Sequence, residues 1–180
     1  MSSIKPKKCK VCKEVFSPKN TLQYVCGVKC AVRYIEVKKD KEWKSKKKIL
    51  KEKLKTISDY KKEARYWFQR WVRIRDLGKS CISCNAHLKD IRNYDAGHYY
   101  SASGYPQLLF NEQNVNGQCV HCNNHKSGNI IEYRKGLIKR YGLEILEQLD
   151  TLSENKKTRI YTKEYCISII KKYKDDIENS

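Results

Sequence analysis

The clearest apolar periodicity begins at residue 60. Tyr60, Ala64, Trp67, Trp71 and Ile74 recur at helical spacing, flanked by Phe68 and Val72, and predict an amphipathic helix. Ser58-Asp59 supplies a start signal and Leu77-Gly78 a stop. The aromatic residues of this stretch read as core rather than as base-stacking groups. A second helix is predicted from about Gly128 to Tyr141, with Ile130, Tyr133, Leu137, Ile138 and Tyr141 near one face. Leu143, Ile145, Leu146 and Leu149 continue it after Gly142. A last helix, capped by Thr162, repeats Cys166, Ile169, Ile170, Tyr173 and Ile177, so Cys166 reads as a buried small hydrophobe. Alternation through Tyr94-Asp95-Ala96-Gly97-His98-Tyr99-Tyr100 predicts a β-hairpin.

Two stretches lack such a stripe. Residues 1–30 offer Val11, Val15, Phe16, Leu22 and Val25 and little else to bury. Residues 31–55 contain no Gly or Pro and read as helix, but Val32, Ile35, Trp43, Leu50 and Leu54 are too sparse for a packed face. That helix is expected to project into solvent or lie along a partner. The fold class is therefore α+β and mainly helical. Its organisation reads as an N-terminal finger over 1–30, a basic helical segment over 31–77, a metal-stapled module over 78–150 and a C-terminal helix over 151–180.

Charge narrows the partner. The 180 residues carry 39 Lys and Arg against 20 Asp and Glu, a formal net charge of +19. An excess this large points to a polyanion, usually nucleic acid. Residues 31–55 alone hold 11 of the basic residues against four acidic ones. Lys38, Lys39, Lys41, Lys44, Lys46, Lys47 and Lys48 are the candidate DNA-backbone contacts there, with Arg70, Arg73 and Arg75 on the following helix. Mean hydropathy is −0.80, and no run approaches the roughly 18 apolar residues of a membrane span. The N-terminus has no apolar signal region, so a cytoplasmic protein without a membrane partner is expected.

Eight of the nine cysteines form four close pairs: Cys9 with Cys12, Cys26 with Cys30, Cys81 with Cys84, and Cys119 with Cys122. Each pair aims two sulfurs at one point, and two pairs make a tetrahedral thiolate site for Zn²⁺. Disulfides suit exported chains, and redox catalysis needs one reactive pair rather than four. Two structural Zn²⁺ sites are thus expected: Cys9, Cys12, Cys26 and Cys30, then Cys81, Cys84, Cys119 and Cys122. Eight thiolates remove eight charges and two Zn²⁺ restore four, leaving +15 from the formal +19. Metal binding also explains how residues 1–30 fold without a core, with Phe16-Ser17-Pro18-Lys19-Asn20 as the turn between knuckles.

The second cysteine module contains more than a clip requires. The 34 residues between its knuckles include Asp95, His98 and Asn114, and Asn123, Asn124 and His125 follow the last cysteine. Taken in order, Cys81-x2-Cys84, Ala96-Gly97-His98, Asn114 and Cys119-x2-Cys122-Asn123 resemble the HNH (ββα-metal) endonuclease motif. The resemblance implies His98 as general base, Asn114 as organiser of the hairpin loop, and Asn123 as a ligand of a catalytic Mg²⁺ or Mn²⁺. Members of that family usually carry Asp or His directly before the base, and this chain has Gly97. Asp95, on the same strand face as residue 97, would replace it if the strand bulges, and His125 is the other candidate ligand. A zinc ion held by four thiolates has no open position, so the catalytic ion must be a separate one. His87 reads as a surface loop residue, His121 as exposed within its knuckle with a phosphate contact as the alternative, Tyr99 and Tyr100 as packing the hairpin or touching the sugar–phosphate, and Asn124 as a helix cap.

Over nearly its whole length the chain resembles the NinG/Rap recombination proteins of lambda-like phages. The resemblance is carried by Lys7-Lys8-Cys9-Lys10-Val11-Cys12, Leu54-Lys55-Thr56, Cys81-Ile82-Ser83-Cys84, Ala96-Gly97-His98-Tyr99 and Gln118-Cys119-Val120-His121-Cys122-Asn123-Asn124-His125. It implies a structure-specific DNA endonuclease acting on Holliday junctions and D-loops in the host cytoplasm, among other phage recombination proteins. It implies 5′-phosphate and 3′-hydroxyl products. A two-fold symmetric substrate makes a homodimer attractive. The rival readings are a zinc-stapled nucleic-acid-binding protein without catalysis and an HNH endonuclease acting on linear duplex.

Overall fold

The computed structural model describes residues 4–155 and 161–179, which fall into two compact units, residues 1–55 and 56–180. The dividing point lies inside the segment 31–77 that the sequence treats as one stretch. Among the described residues no helix is long and apolar enough to cross a membrane.

In the first unit, β1 (Lys7–Lys8) pairs antiparallel with β2 (Val15–Phe16), Lys7 opposite Phe16. The Cys9 knuckle closes this ribbon: the Cys9 amide donates to Glu14 O at 2.8 Å, and Lys13 takes a left-handed φ of 68°. The helix α1 (Val28–Lys53) begins two residues before Cys30, so one cysteine of the first cluster sits in its first turn. None of its 26 residues is buried, and Trp43 is 64% exposed. The expected absence of a packed stripe is therefore seen directly.

The second unit is built on α2 (Ile57–Arg75) packed against α5 (Lys163–Glu178). The sequence places the start of α2 at Ser58-Asp59. The cap is instead Thr56, whose hydroxyl accepts from the Asp59 amide while the Asp59 carboxylate accepts from the Thr56 amide. Such a reciprocal box contributes about 1 kcal/mol. The buried stripe of α2 is Tyr60, Ala64, Phe68 and Val72, with Trp67 and Trp71 at its margin. The sequence reading centred the face one residue too early, because the tryptophans outweigh an alanine in hydrophobicity although their size suits a margin better. Phe68 meets Phe110 and Tyr173 edge-on at 5.6 and 5.0 Å between ring centroids, and its full burial contributes roughly 2 kcal/mol.

The sheet consists of β3 (Tyr94–His98) and β4 (Val115–Cys119), antiparallel, with Asp95 opposite Gln118 and His98 opposite Val115. The tight hairpin expected within 94–100 is not formed. That stretch supplies one strand, and its partner follows only after the turn Pro106–Leu108. The partner escapes a periodicity search because Asn116 and Gln118 are polar yet fully buried. The register runs unbroken from Tyr94 to His98, without the bulge considered for Asp95. Next come α3 (Ile130–Tyr141) and α4 (Glu144–Glu154), which pack with Ile82 and Leu108 around Tyr133, Leu137 and Leu149. The cap of the last helix, Thr162, and the full burial of Cys166 are as the sequence predicts.

Asp76, fully buried, ties these layers together. Its carboxylate accepts from Arg75 at 2.8 Å, Lys79 at 3.0 Å, Arg140 at 3.3 Å and the Gly117 amide at 2.7 Å. Arg75 also donates to the carbonyls of Glu112 and Val115. The sequence offers Arg75 as a free phosphate contact; it is instead a half-buried brace between α2 and β4.

Candidate functional site

The four sulfurs of Cys9, Cys12, Cys26 and Cys30 lie within 4.8 Å of one another, and so do those of Cys81, Cys84, Cys119 and Cys122. Neighbouring sulfurs are 3.5 Å apart between Cys12 and Cys26, 3.6 Å between Cys26 and Cys30, and 3.8 Å between Cys84 and Cys119. A tetrahedral ion with Zn–S bonds of about 2.3 Å requires edges of roughly 3.8 Å, so both clusters fit one. Backbone amides support the charge: Val11 donates to Cys9 Sγ, Cys119 to Cys81 Sγ and Cys122 to Cys119 Sγ. Both clusters could hold Zn²⁺, and no described cysteine is in a disulfide.

The second cluster fixes the end of β4 and the wide helical turn His121–His125, which puts Asn123 next to β3. Asn123 Nδ2 donates to Asp95 Oδ2 at 3.0 Å and to Asn124 Oδ1 at 2.9 Å, and Asn124 Nδ2 reaches Asp95 Oδ2 at 3.4 Å. Asn124 is thus not the expected helix cap; Asn129, at a φ of 44°, holds the N-cap position of α3 without a side-chain capping bond. At the other end of β3, Asn114 is fully buried. Its Oδ1 accepts from the Tyr100 amide at 2.8 Å, and its Nδ2 donates to the carbonyls of Tyr100 at 3.0 Å and Leu108 at 3.2 Å. One amide side chain thereby clamps both ends of the long connection after His98. Tyr133, from α3, donates to Gly97 O at 2.9 Å and holds the strand from behind.

Gly97 has a steric reason. A Cβ there would lie 2.2 Å from Gln118 Oε1. Gln118 is fully buried, and its Nε2 joins Ser83 Oγ at 2.7 Å to the Gly128 carbonyl at 2.6 Å. The position before His98 therefore has no room for a metal-ligating side chain.

His98 stands at the wall between two clefts. One, of about 390 Å³, is lined by Arg65, Gln69, Arg73, Asp95, His98 and the two asparagines. The other, of about 580 Å³, is lined by Lys61, Lys62, Arg65, His98, Asn123 and serine-rich loop residues. Burial, reinforced by the Arg65 charge, lowers the His98 pKa to about 4, so the imidazole is neutral at ordinary pH. Its Nε2 is enclosed and has no hydrogen-bond partner. A buried polar atom left so costs about 1–3 kcal/mol, which a ligand or a small ring movement would recover.

Of the residues singled out in the sequence, Asp95, His98 and Asn123 meet in the smaller cleft, with Arg73. Asn114 lies behind them. His125 is outside the lining, exposed beside His121 with ring centroids 6.0 Å apart. His87 is exposed next to its bridge with Ser80. Tyr99 accepts from Arg134 at 3.2 Å and Tyr100 donates to Asp150 at 2.5 Å, so both pack against α3 and α4 rather than a hairpin or the cleft. Arg70 donates to Tyr66 Oη at 3.2 Å. The lysines from Lys38 to Lys48 lie exposed on α1, in the first unit, where Lys44 pairs with Asp40 at 2.7 Å. Arg65 and Gln69 were missed. Their signal was the four-residue spacing with Arg73, on the polar side of α2.

The smaller cleft offers few oxygen donors, and Asp95 Oδ2 already accepts from Asn123. Asp95 gives a carboxylate and Asn123 an amide oxygen, and Mg²⁺ is commonly held by one or two carboxylates with the remaining positions filled by water and substrate phosphate. Arg65 and Arg73 would oppose a bare cation but favour one that arrives with a phosphate.

The family model described as "NinG: Bacteriophage Lambda NinG protein" matches residues 1–180. Among curated proteins, "Protein ninG" of Escherichia phage 933W is 35% identical, over 97% of this chain and 94% of its own length. The protein of the same name from Escherichia phage lambda is 34% identical, over 94% and 91%, and that of Salmonella phage P22 32%, over 93% and 89%. No solved structure matches the chain.

Proposed function

The chain belongs to the NinG family, and from that premise we propose that it is a divalent-metal-dependent DNA endonuclease of the HNH type, acting on branched recombination intermediates such as Holliday junctions and D-loops. One observation carries the reading. A neutral histidine with an unsatisfied ring nitrogen shares a cleft with a carboxylate, an amide and two arginines, on a strand braced by a four-cysteine cluster.

Each residue then has a task. His98, neutral at ordinary pH, accepts the proton of the attacking water once a small ring movement uncovers Nε2. Arg65 and Arg73 draw the anionic phosphodiester into the cleft. Asp95 and Asn123 would hold Mg²⁺ or Mn²⁺, which when bound neutralises the phosphate and stabilises the leaving 3′ oxygen. Asn114 and Tyr133 fix the strand that carries the base. The basic surface, including α1, supplies affinity for DNA without sequence preference.

The test is cleavage of labelled junction, D-loop and linear duplex in Mg²⁺ or Mn²⁺, with wild type and His98→Ala in parallel. Cutting by wild type alone supports the assignment; equal cutting by the variant overturns it. A second reading, a zinc-braced nucleic-acid-binding protein without catalysis, is favoured by the enclosure of His98 Nε2. Junction binding without cutting in either metal across a range of pH would establish that reading instead.

A further inference from the structure

Beside the buried stripe of α2 runs a polar face, and that face is ordered, its far end held where Arg73 donates to the Ile91 carbonyl at 3.3 Å. Ser58, Lys62, Arg65, Gln69 and Arg73 follow one another at four, three, four and four residues, a single helical face. Ser58, Lys62 and Arg65 line the larger cleft, and Arg65, Gln69 and Arg73 line the smaller one. Arg65, His98 and Asn123 border both. The two clefts therefore meet at His98 as one groove, walled by about 22 Å of helix.

The groove is cationic and of two textures. Lys61, Lys62, Arg65 and Arg73 face it, and Asp95 is the one carboxylate among its described lining residues. The acidic residues of α2 are engaged elsewhere: Asp59 closes the cap with Thr56, and Glu63 lies 3.9 Å from Lys174. Beyond His98 the larger cleft is lined by Ser101, Ser103 and Ser127, with Ala102 and the buried Leu109 behind them. Cations, hydroxyls and a small apolar surface match phosphate, sugar and base. A cleft of about 580 Å³ has the size of a small-ligand pocket and takes a nucleotide or two.

Building on the nuclease assignment for the position of the scissile phosphate, we infer that this groove tracks one sugar–phosphate backbone. An unpaired strand runs along α2 past His98. Lys62 and Arg65 contact successive phosphates, and the Ser101–Ser103 side receives the nucleotide next to the scissile one. Such a channel selects DNA in which a strand can leave its duplex, as it can at a branch point.

The test uses the full-length, zinc-loaded protein without Mg²⁺, titrated by anisotropy with fluorescein-labelled oligo(dT) and with a blunt duplex of equal length over a range of NaCl. Lys62→Ala/Arg65→Ala should bind oligo(dT) at least about tenfold more weakly, with a salt slope shallower by about 1.4, or 0.7 for each lost phosphate contact. Ser103→Trp, which fills the larger cleft without altering charge, should weaken oligo(dT) more than duplex. Lys135→Ala/Lys139→Ala, on α3, removes equal charge outside the groove and should cost less. The inference fails if the first double variant, melting normally with two zinc ions, binds oligo(dT) like wild type, or if the α3 pair loses as much. If oligo(dT) binding depends on the groove but nothing is cut, the channel stands and the nuclease assignment falls. If junctions are cut while the groove variants bind unchanged, the channel falls and the nuclease assignment stands.

Discussion

Asn123 and Asp95, 28 residues apart in the chain, are joined by an amide-to-carboxylate hydrogen bond of 3.0 Å. The residue directly after the last cysteine thus touches the acidic residue on β3, and the second cysteine cluster keeps the two in register. Asp95→Ala should reduce Mg²⁺- or Mn²⁺-supported junction cleavage by at least about 10²-fold, a few kcal/mol of lost charge stabilisation. Zinc content, measured by metal analysis, should remain at two ions. Undiminished cleavage would remove Asp95 from the site.

His98→Ala should keep zinc and junction affinity while cutting about 10²–10⁴-fold more slowly, the usual contribution of a general base. A parallel loss of affinity, seen by gel shift, would mean that the ring serves binding instead.

Protonation of His98 should follow its surroundings. Burial, then Arg65, depresses its pKa to about 4, so the imidazole proton resonance should titrate well below the free value near 6.5. Arg65→Ala should move that titration upward by less than burial lowers it. The unfolded chain binds this proton at higher pH than the folded one, so the histidine favours folding fully above about pH 6.5. The contribution is lost as pH falls toward 4. A midpoint near 6.5 in the folded wild type would contradict the enclosure of the ring.

Asp76→Ala leaves Arg75 and Arg140 facing a vacant, buried position and should cost about 3–5 kcal/mol in denaturant melts. Burial pushes the Asp76 pKa up, but Arg75, the Gly117 amide and Lys79 outweigh it and hold the carboxyl at about 2. Its stabilising effect is complete above the ordinary value of 3.8 and disappears as pH falls toward 2. A variant melting within 1 kcal/mol of wild type, roughly the range of a surface change, would show that the network is idle.

Chelation should act unequally. The first unit has a two-stranded ribbon, one buried cysteine and little further core, so strong chelators should unfold it first. The second unit keeps its α2–α5 packing. Circular dichroism and metal analysis along a chelator titration should show two steps, and a single concerted loss would argue for mutual dependence.

How much of this was readable beforehand depended on what each residue does. The cysteine pairs announced both clusters, because metal geometry imposes short, fixed spacings. The helices of the second unit were legible where burial falls on apolar residues. The β4 strand was not, because Asn116 and Gln118 are buried through hydrogen bonds rather than hydrophobicity. Asp95, His98 and Asn123, which line one cleft, are singled out by their order along the chain, a pattern that says little about Arg65. An arginine on a helix in a chain with 39 basic residues has no distinguishing mark until the fold puts it beside a particular imidazole. The same excess concealed Arg75, whose work is internal.

The first turn of α1 contains the half-buried Cys30, and no described residue of that helix is buried. A helix of about 39 Å that gains nothing from packing must begin somewhere, and starting is the costly step of helix growth. A thiolate anchored to a metal would supply that start. Loss of the metal would then be felt first in the winding of α1, so the helical signal of the first unit should report the ion's departure.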